Sequence, residues 1–273
     1  MSKRRIYTSE FSGYKQRDYA AHLLVSMRMC KSILGRHEWA HPVYHYFDLY
    51  AGPGTDGIDE GSPIIFLKTA QLVGLPVRAW FFERSPRKAK ILRRSVEEYL
   101  GKSDGFSAEV SVLVGDNASA VPDVIDAISR ESRRVFGLVY ADPYGPPSFD
   151  VLRVFSAHRF LERLDLLIYL NATALKMCLG HPHCPRHKTG LDEGLASLGK
   201  RVVHVRECLG AWQWSFAYCT NTERFPQLRQ NGFHSIATER GRKILTRLTC
   251  TREELKAMGF ELHPREFQRP LFT

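Results

Sequence analysis

Long apolar runs are missing from this sequence. Nowhere in its 273 residues is there an uninterrupted apolar stretch of about 18 or more, the length a membrane-spanning helix requires. No membrane span is therefore expected. Internal repeats and low-complexity tracts are also absent, which leaves a folded domain as the reading. Cysteine is sparse: Cys30, Cys178, Cys184, Cys208, Cys219 and Cys250 are scattered, apart from one pair. The first residues, MSKRRIYTSEFSGYKQRDYAAH, are basic but are not followed by an apolar segment, so a secretory leader is not expected. Reduced thiols and a cytoplasmic location follow as expectations. Acidic residues fall short of basic ones, 29 Asp+Glu against 39 Lys+Arg, for a formal net charge of +10. That excess favours polyanionic partners, because each phosphate neutralised releases counterions, and nucleic acid is the class it points to.

What is present is enough to fold. Hydrophobic residues make up 44% of the chain, sufficient for a sizeable core. Residues 14–34 carry apolar positions at helical spacing and predict an opening amphipathic helix. Strands are predicted at 44–50 (YHYFDLY), 77–83 (VRAWFFE), 108–116, 134–142 and 164–172. Helices are predicted between them, at 61–73, 85–100, 119–131 and 149–161, two of them opening on Ser-Pro with the serine as N-cap. Such alternation predicts an α/β fold, a doubly wound, mostly parallel sheet with helices on both faces. Residues 201–208 and 211–221 have no helix between them and predict an antiparallel couple. A domain over 1–221 and a basic, mainly helical C-terminal appendage over 222–273 are expected, the latter with a capping box at Thr251–Glu254.

Open α/β sheets bind ligands at the carboxyl ends of their strands, so those ends are where chemistry is expected. The first gives FDLYAGPG, with Asp48 at the strand end and Ala51, Gly52 and Gly54 in a turn that lets backbone approach a ligand. The second gives FFERSP, placing Glu83 where a carboxylate can accept both hydroxyls of a ribose. The third gives GDNAS, with Asp116 and Asn117 suited either to an adenine edge or to capping a helix. The fourth gives ADPYG, with Asp142, Pro143 and Tyr144. Acids at four successive strand ends are harder to assign to chance than any one alone.

In this order the four segments resemble the class I S-adenosylmethionine-dependent methyltransferases, over about residues 40–172. The resemblance implies a Rossmann-like fold and S-adenosylmethionine as cofactor. It implies that the turn at Asp48, Ala51, Gly52 and Gly54 passes the methionine part, that Glu83 holds the ribose, and that Asp116 and Asn117 hold adenine. Asp142 counts with both the cofactor and the catalytic residues. A closer likeness is to the three-Cys-motif partner family, on DLYAGPG followed by GSPIIFLKTA, then FFERS, GDNAS and ADPYG. That family is named for a partner protein's cysteines, so a protein partner is a second expectation. A methyltransferase-like interaction protein without catalysis is the alternative reading. A nicotinamide-type site fits less well, because AGPGTDG does not open directly into a helix.

In amino-directed methyltransferases, a D/N-P-P-aromatic segment holds an exocyclic amine while the aromatic stacks on the base. Asp142, Pro143 and Tyr144 match acid, rigid turn and aromatic, but Tyr144 stands at the second proline and Gly145 at the usual aromatic. The segment is more similar to the D-P-F-G form of enzymes that methylate guanine N2 in tRNA. An amine on nucleic acid is thus the expected acceptor. Cys178, His181, His183, Cys184 and His187 form a Cys/His cluster whose spacing matches no standard zinc finger, and no metal site is assigned to it. Trp212 and Trp214 are expected to pack in the core or on a strand face.

Overall fold

The computed structural model describes residues 10–34, 43–55, 59–131, 135–179, 190–207, 214–222 and 231–262. These fall into two compact units, Met1–Asp116 with three strands and Asn117–Thr273 with five among the described residues. The predicted Cys178–His187 cluster and Trp212 lie outside the residues whose side chains are described.

The first unit runs α1 (Glu10–Leu34), β1 (Tyr44–Asp48), α2 (Ser62–Val73), β2 (Val77–Glu83), α3 (Pro86–Leu100) and β3 (Ala108–Val114). Its strands lie in the order β3-β2-β1, and both pairings are parallel. Every residue of β1 is buried, and all of β2 but Arg78, whereas the edge strand β3 is only half-buried. That contrast is the signature of strands covered on both faces against one at a sheet margin. Aromatic rings fill the space: Tyr46 stacks on Phe66 at 3.8 Å between centroids and Phe47 on Trp80 at 4.6 Å. α1 buries Tyr19, Leu23 and Met27 at four-residue spacing, one face of a helix. Its Lys31 donates to the Val73 carbonyl at 2.5 Å, a cation on the negative end of α2. The N-cap of α2 is Gly61, one residue before the predicted Ser62, while α3 is capped by Ser85 as predicted, its side chain accepting the Lys88 N–H.

The second unit runs α4 (Asn117–Glu131), β4 (Phe136–Ala141), α5 (Phe149–Val154), a 3-10 turn at Arg159–Leu161, β5 (Arg163–Asn171), α6 (Ala172–Leu179) and α7 (Leu191–Ala196). It continues with β6 (Val202–Arg206), β7 (Trp214–Thr220), β8 (Phe233–Ser235), α8 (Glu239–Thr249) and α9 (Arg252–Ala257). The helix expected across 149–161 stops at Val154, where successive i to i+3 bonds into Phe155, Ser156 and Ala157 tighten the chain. Strand order is β4-β5-β7-β6-β8: β4 and β5 are parallel, and every later pairing is antiparallel. The predicted couple does pair, but β7 inserts between β5 and β6. The stretch beyond 222 contributes the edge strand β8 as well as helices, and α8 packs on β6, β8 and α6. The predicted capping box is present: Thr251 N–H donates to Glu254 Oε2 at 2.7 Å, and Glu254 N–H to Thr251 Oγ1.

A polar knot ties β5, β6 and β7 together. Tyr218 hydroxyl donates to the Asp165 carboxylate, and the buried Lys200 ammonium donates to the Leu164 carbonyl at 2.7 Å. Burial pushes Asp165 up to about 6, against the lowering effect of hydrogen bonds from Tyr218 and Thr220 and of the Lys200 charge. Burial likewise lowers Lys200 and pushes the Cys219 thiol up to about 12, so that cysteine is inert at neutral pH. Because the folded-state value of Asp165 lies above its ordinary 3.8, its contribution to stability is full below about pH 4 and is lost as pH rises through about 6. Asp165→Asn should therefore gain on the wild type as pH climbs over that window, by on the order of 2–3 kcal/mol, whatever constant offset the swap carries. Urea midpoints at half-unit pH steps check this, and parallel profiles for the two proteins would refute it.

Candidate functional site

The carboxyl ends of the three strands of the first unit lie side by side. The Ala51 N–H donates to the Phe82 carbonyl at 3.0 Å, and the Gly115 N–H to the Glu83 carbonyl at 3.2 Å. These bonds continue the pairing past the ends of β1 and β3, so the glycine turn, the tip of β2 and the Gly115–Asp116 turn share one edge. Of the predicted residues, Asp48, Ala51, Gly52, Gly54, Glu83 and Asp116 meet here.

Asp48 is fully buried. One oxygen accepts the Tyr50 N–H at 3.1 Å, the other the Tyr46 hydroxyl at 3.3 Å, and Tyr46 in turn bonds the Tyr19 hydroxyl of α1. A buried carboxylate demands such partners, and here they make Asp48 the anchor of the turn that follows. Neither Tyr19 nor Tyr46 is marked by sequence motif. Only the alternation of tyrosines in YHYFDLY placed Tyr46 on the same strand face as Asp48.

Gly52 and Gly54 have φ of 65° and 76°, in the left-handed region that side chains disfavour. They differ in surroundings. A Cβ on Gly52 would meet nothing within 4 Å, so the turn is open there. A Cβ on Gly54 would come 2.7 Å from Leu92 Cδ1, a fully buried side chain of α3. Gly54 also accepts the Gly61 N–H at 2.8 Å, closing the loop from the turn to α2.

Glu83 is nearly buried at the tip of β2, and its Oε1 accepts the Ser85 N–H at 2.7 Å. Oε2 has no protein partner among the described residues. The residues that follow, Arg84, Arg87, Lys88 and Lys90, are exposed and make the entry to α3 strongly cationic. Asp116 is exposed.

In the second unit, Asn117 opens α4 and is half-buried. After β4, Asp142 is half-buried, Pro143 is buried and Tyr144 is fully exposed. The prolines hold this segment so that the tyrosine projects wholly into solvent. Asn171, at the carboxyl end of β5, carried no signal in the sequence beyond its place; its Oδ1 accepts the Ala174 N–H at 3.1 Å and caps α6. Among the described residues there is no group of three or more His, Cys, Asp or Glu arranged to hold a metal, and no helix long and apolar enough to cross a membrane.

No protein-family model and no curated protein matches the chain. Solved structures similar to it include the N-terminal domain of human METTL16 (15% identity, 82% of this chain and 75% of that one, TM-score 0.43). M. jannaschii TYW2 in complex with AdoMet is similar at 16% identity over 78% and 76%, TM-score 0.40. Spermidine synthase from Thermotoga maritima is similar at 12% identity over 78% and 67%, TM-score 0.38. Superpositions this loose decide nothing about the reaction.

The two glycines of the turn should respond differently to alanine. Gly52→Ala should cost the left-handed backbone alone, about 1–2 kcal/mol. Gly54→Ala should cost a further ~1–3 kcal/mol from overpacking against Leu92. Urea unfolding of both variants checks the difference, and equal losses would contradict it.

Proposed function

We propose that this chain is an S-adenosylmethionine-dependent methyltransferase acting on an amine, with an exocyclic base amine of nucleic acid as the acceptor. The observation that carries the reading is Glu83: a nearly buried carboxylate at a strand tip, one oxygen committed to Ser85 and the other without a protein partner, beside an open left-handed glycine turn. A carboxylate held in that way, with one oxygen left to a ligand, is suited to a pair of ligand hydroxyls. The closer likeness to the three-Cys-motif partner family belongs to this reading too, and rests on its five sequence segments alone.

The residues present fit the cofactor. Glu83 would hold the ribose, the backbone at Ala51–Gly52 would pass the methionine part, and Asp116 and Asn117 would take adenine. Asp48 acts on the turn from beneath and not on the ligand, since it is wholly buried. When bound, the cofactor supplies an electrophilic methyl group. The chain's own task is to position the amine. In this reading Asp142 accepts one amine hydrogen, which turns the nitrogen lone pair outward, and its carboxylate takes the proton the nitrogen sheds. Buried Pro143 keeps that carboxylate in place, and Tyr144 offers an aromatic face to a base. Orientation of this kind supplies much of a rate enhancement, and no strong base is required. The net charge of +10 favours a polyanionic substrate.

Calorimetry tests the cofactor first. Micromolar affinity is expected, and Glu83→Ala should weaken it by about 1.5–3 kcal/mol, as for a lost hydrogen bond to a charged group. The substitution Glu97→Ala, on α3, should not. No heat and no thermal protection with the wild type would refute the assignment. Radiolabelled methyl incorporation into mixed tRNA and DNA tests the transfer. Asp142→Ala should lower it by about 10²–10³ with cofactor affinity within about tenfold, and Tyr144→Phe should retain what Tyr144→Ala loses. Cofactor binding without transfer to any acceptor would leave an interaction protein.

A further inference from the structure

The second unit holds a cavity of about 450 Å³ that the methyl-transfer reading does not use. Its size falls in the range of about 300–1,000 Å³ typical of small-molecule sites. One wall is α8, which presents Arg240, Lys243 and Arg247 at spacings of three and four, a single side of the helix. Ile244, between them, forms an apolar floor. The facing wall is Met258 and Phe260, immediately after α9.

Local backbone chemistry puts Phe260 there. α9 ends in a Schellman motif: Gly259 is left-handed at φ 75°, its N–H donates to the Lys256 carbonyl at 3.0 Å, and the Phe260 N–H donates to the Leu255 carbonyl at 3.0 Å. That turn folds the chain back toward α8. The Arg247 guanidinium then lies over the Phe260 ring, 5.2 Å from its centroid, and donates to the Glu261 carbonyl at 2.8 Å. Phe260 is thereby held by Arg247, and both side chains line the cavity together with Arg240 and Lys243.

Charge narrows the ligand. α8 carries four cations, Arg240, Arg242, Lys243 and Arg247, against one acid, Glu239. Arg240 pairs with Glu207, and Lys243 with Glu239 at 2.7 Å, both at exposed positions where such pairs are weak and exchange readily for a phosphate. Glu207 and Glu261 also line the cavity, which disfavours a bare anion. A ligand that suits the whole has a planar apolar part and a phosphate. We propose that this cavity is a nucleotide-binding site, taking a base against Phe260, Met258 and Ile244 and its phosphate on Lys243 and Arg240. The nucleotide can be free or part of a single strand; the chemistry is the same.

The site is independent of the proposed reaction, and its test is separable from it. The probes are uridine 5′-diphosphate by calorimetry, pyrophosphate by the same method, and a fluorescein-labelled single-stranded RNA 12-mer by anisotropy, with full-length protein. Phe260→Ala should weaken whichever nucleotide probe binds by about tenfold or more, as for a lost base–aromatic stack, and Phe260→Leu should not restore it. Lys243→Glu, an exposed change that leaves the fold intact, should weaken the same probe. With RNA it should also flatten the salt dependence by roughly 0.7 or more in log–log slope, the share of one phosphate or more. Retained binding of the uridine nucleotide alone identifies a small-molecule site; binding of RNA alone identifies a strand-binding site. Glu83→Gln should leave either unchanged. The proposal is overturned if neither nucleotide probe binds, if Lys243→Glu and Phe260→Leu bind as the wild type does, if pyrophosphate binds as tightly as the uridine nucleotide, or if Glu83→Gln alone abolishes binding.

Discussion

Strands β1 and β4 are buried along their whole length and β2 at every position but one, which leaves almost no place along them for a polar group without a partner. The backbone is satisfied by the ladder, so the constraint falls on side chains. Those inside are mostly aromatic and aliphatic; buried His45 on β1 stacks its ring on Trp80 at 5.6 Å. Arg78, the exception on β2, keeps its guanidinium over Trp80 and pairs with Glu109 at the sheet margin. The carboxylates of these three strands are thereby confined to the tips, where Asp48, Glu83 and Asp142 stand. Burial of the strands is thus the reason that the candidate site residues sit where they do.

At one tip even that confinement fails, and the consequence is instructive. Asp48 is drawn wholly inside, and the cost of burying its carboxyl group is offset by the Tyr46 hydroxyl and the Tyr50 N–H. The Tyr19–Tyr46–Asp48 chain then couples α1 to the turn after β1. Asp48 thereby supports the backbone of the turn that follows it. Gly52 and Gly54 complete the turn because only glycine accepts those φ values without strain, Gly54 doubly so with Leu92 above it.

The second unit meets the same constraint by pairing. Asp165 and Lys200 remain in the interior, held by Tyr218 and by the Leu164 carbonyl, and the antiparallel insertion of β7 brings them together. Such a knot is weak evidence of stability, because desolvation opposes it. What it does provide is register: a one-residue slip of β7 would turn Tyr218 to the other face and strand the carboxylate.

Much of this was legible in the residues. The alternation of strands and helices, the Ser85 cap and the Thr251–Glu254 box are local features, carried by neighbours within a few positions, and they stand where predicted. The same holds for the glycine turn at Gly52 and Gly54, whose left-handed backbone the structure adds. Tertiary structure alone decided that β7 lies between β5 and β6, that Tyr218 reaches Asp165 across 53 residues, that Asp48 is sealed from solvent, and that α8 and the turn after α9 enclose a cavity. Periodicity reports which face of an element is apolar, but not which element will cover it. That choice is made by packing between segments far apart in the chain, where a sequence pattern has no period to show.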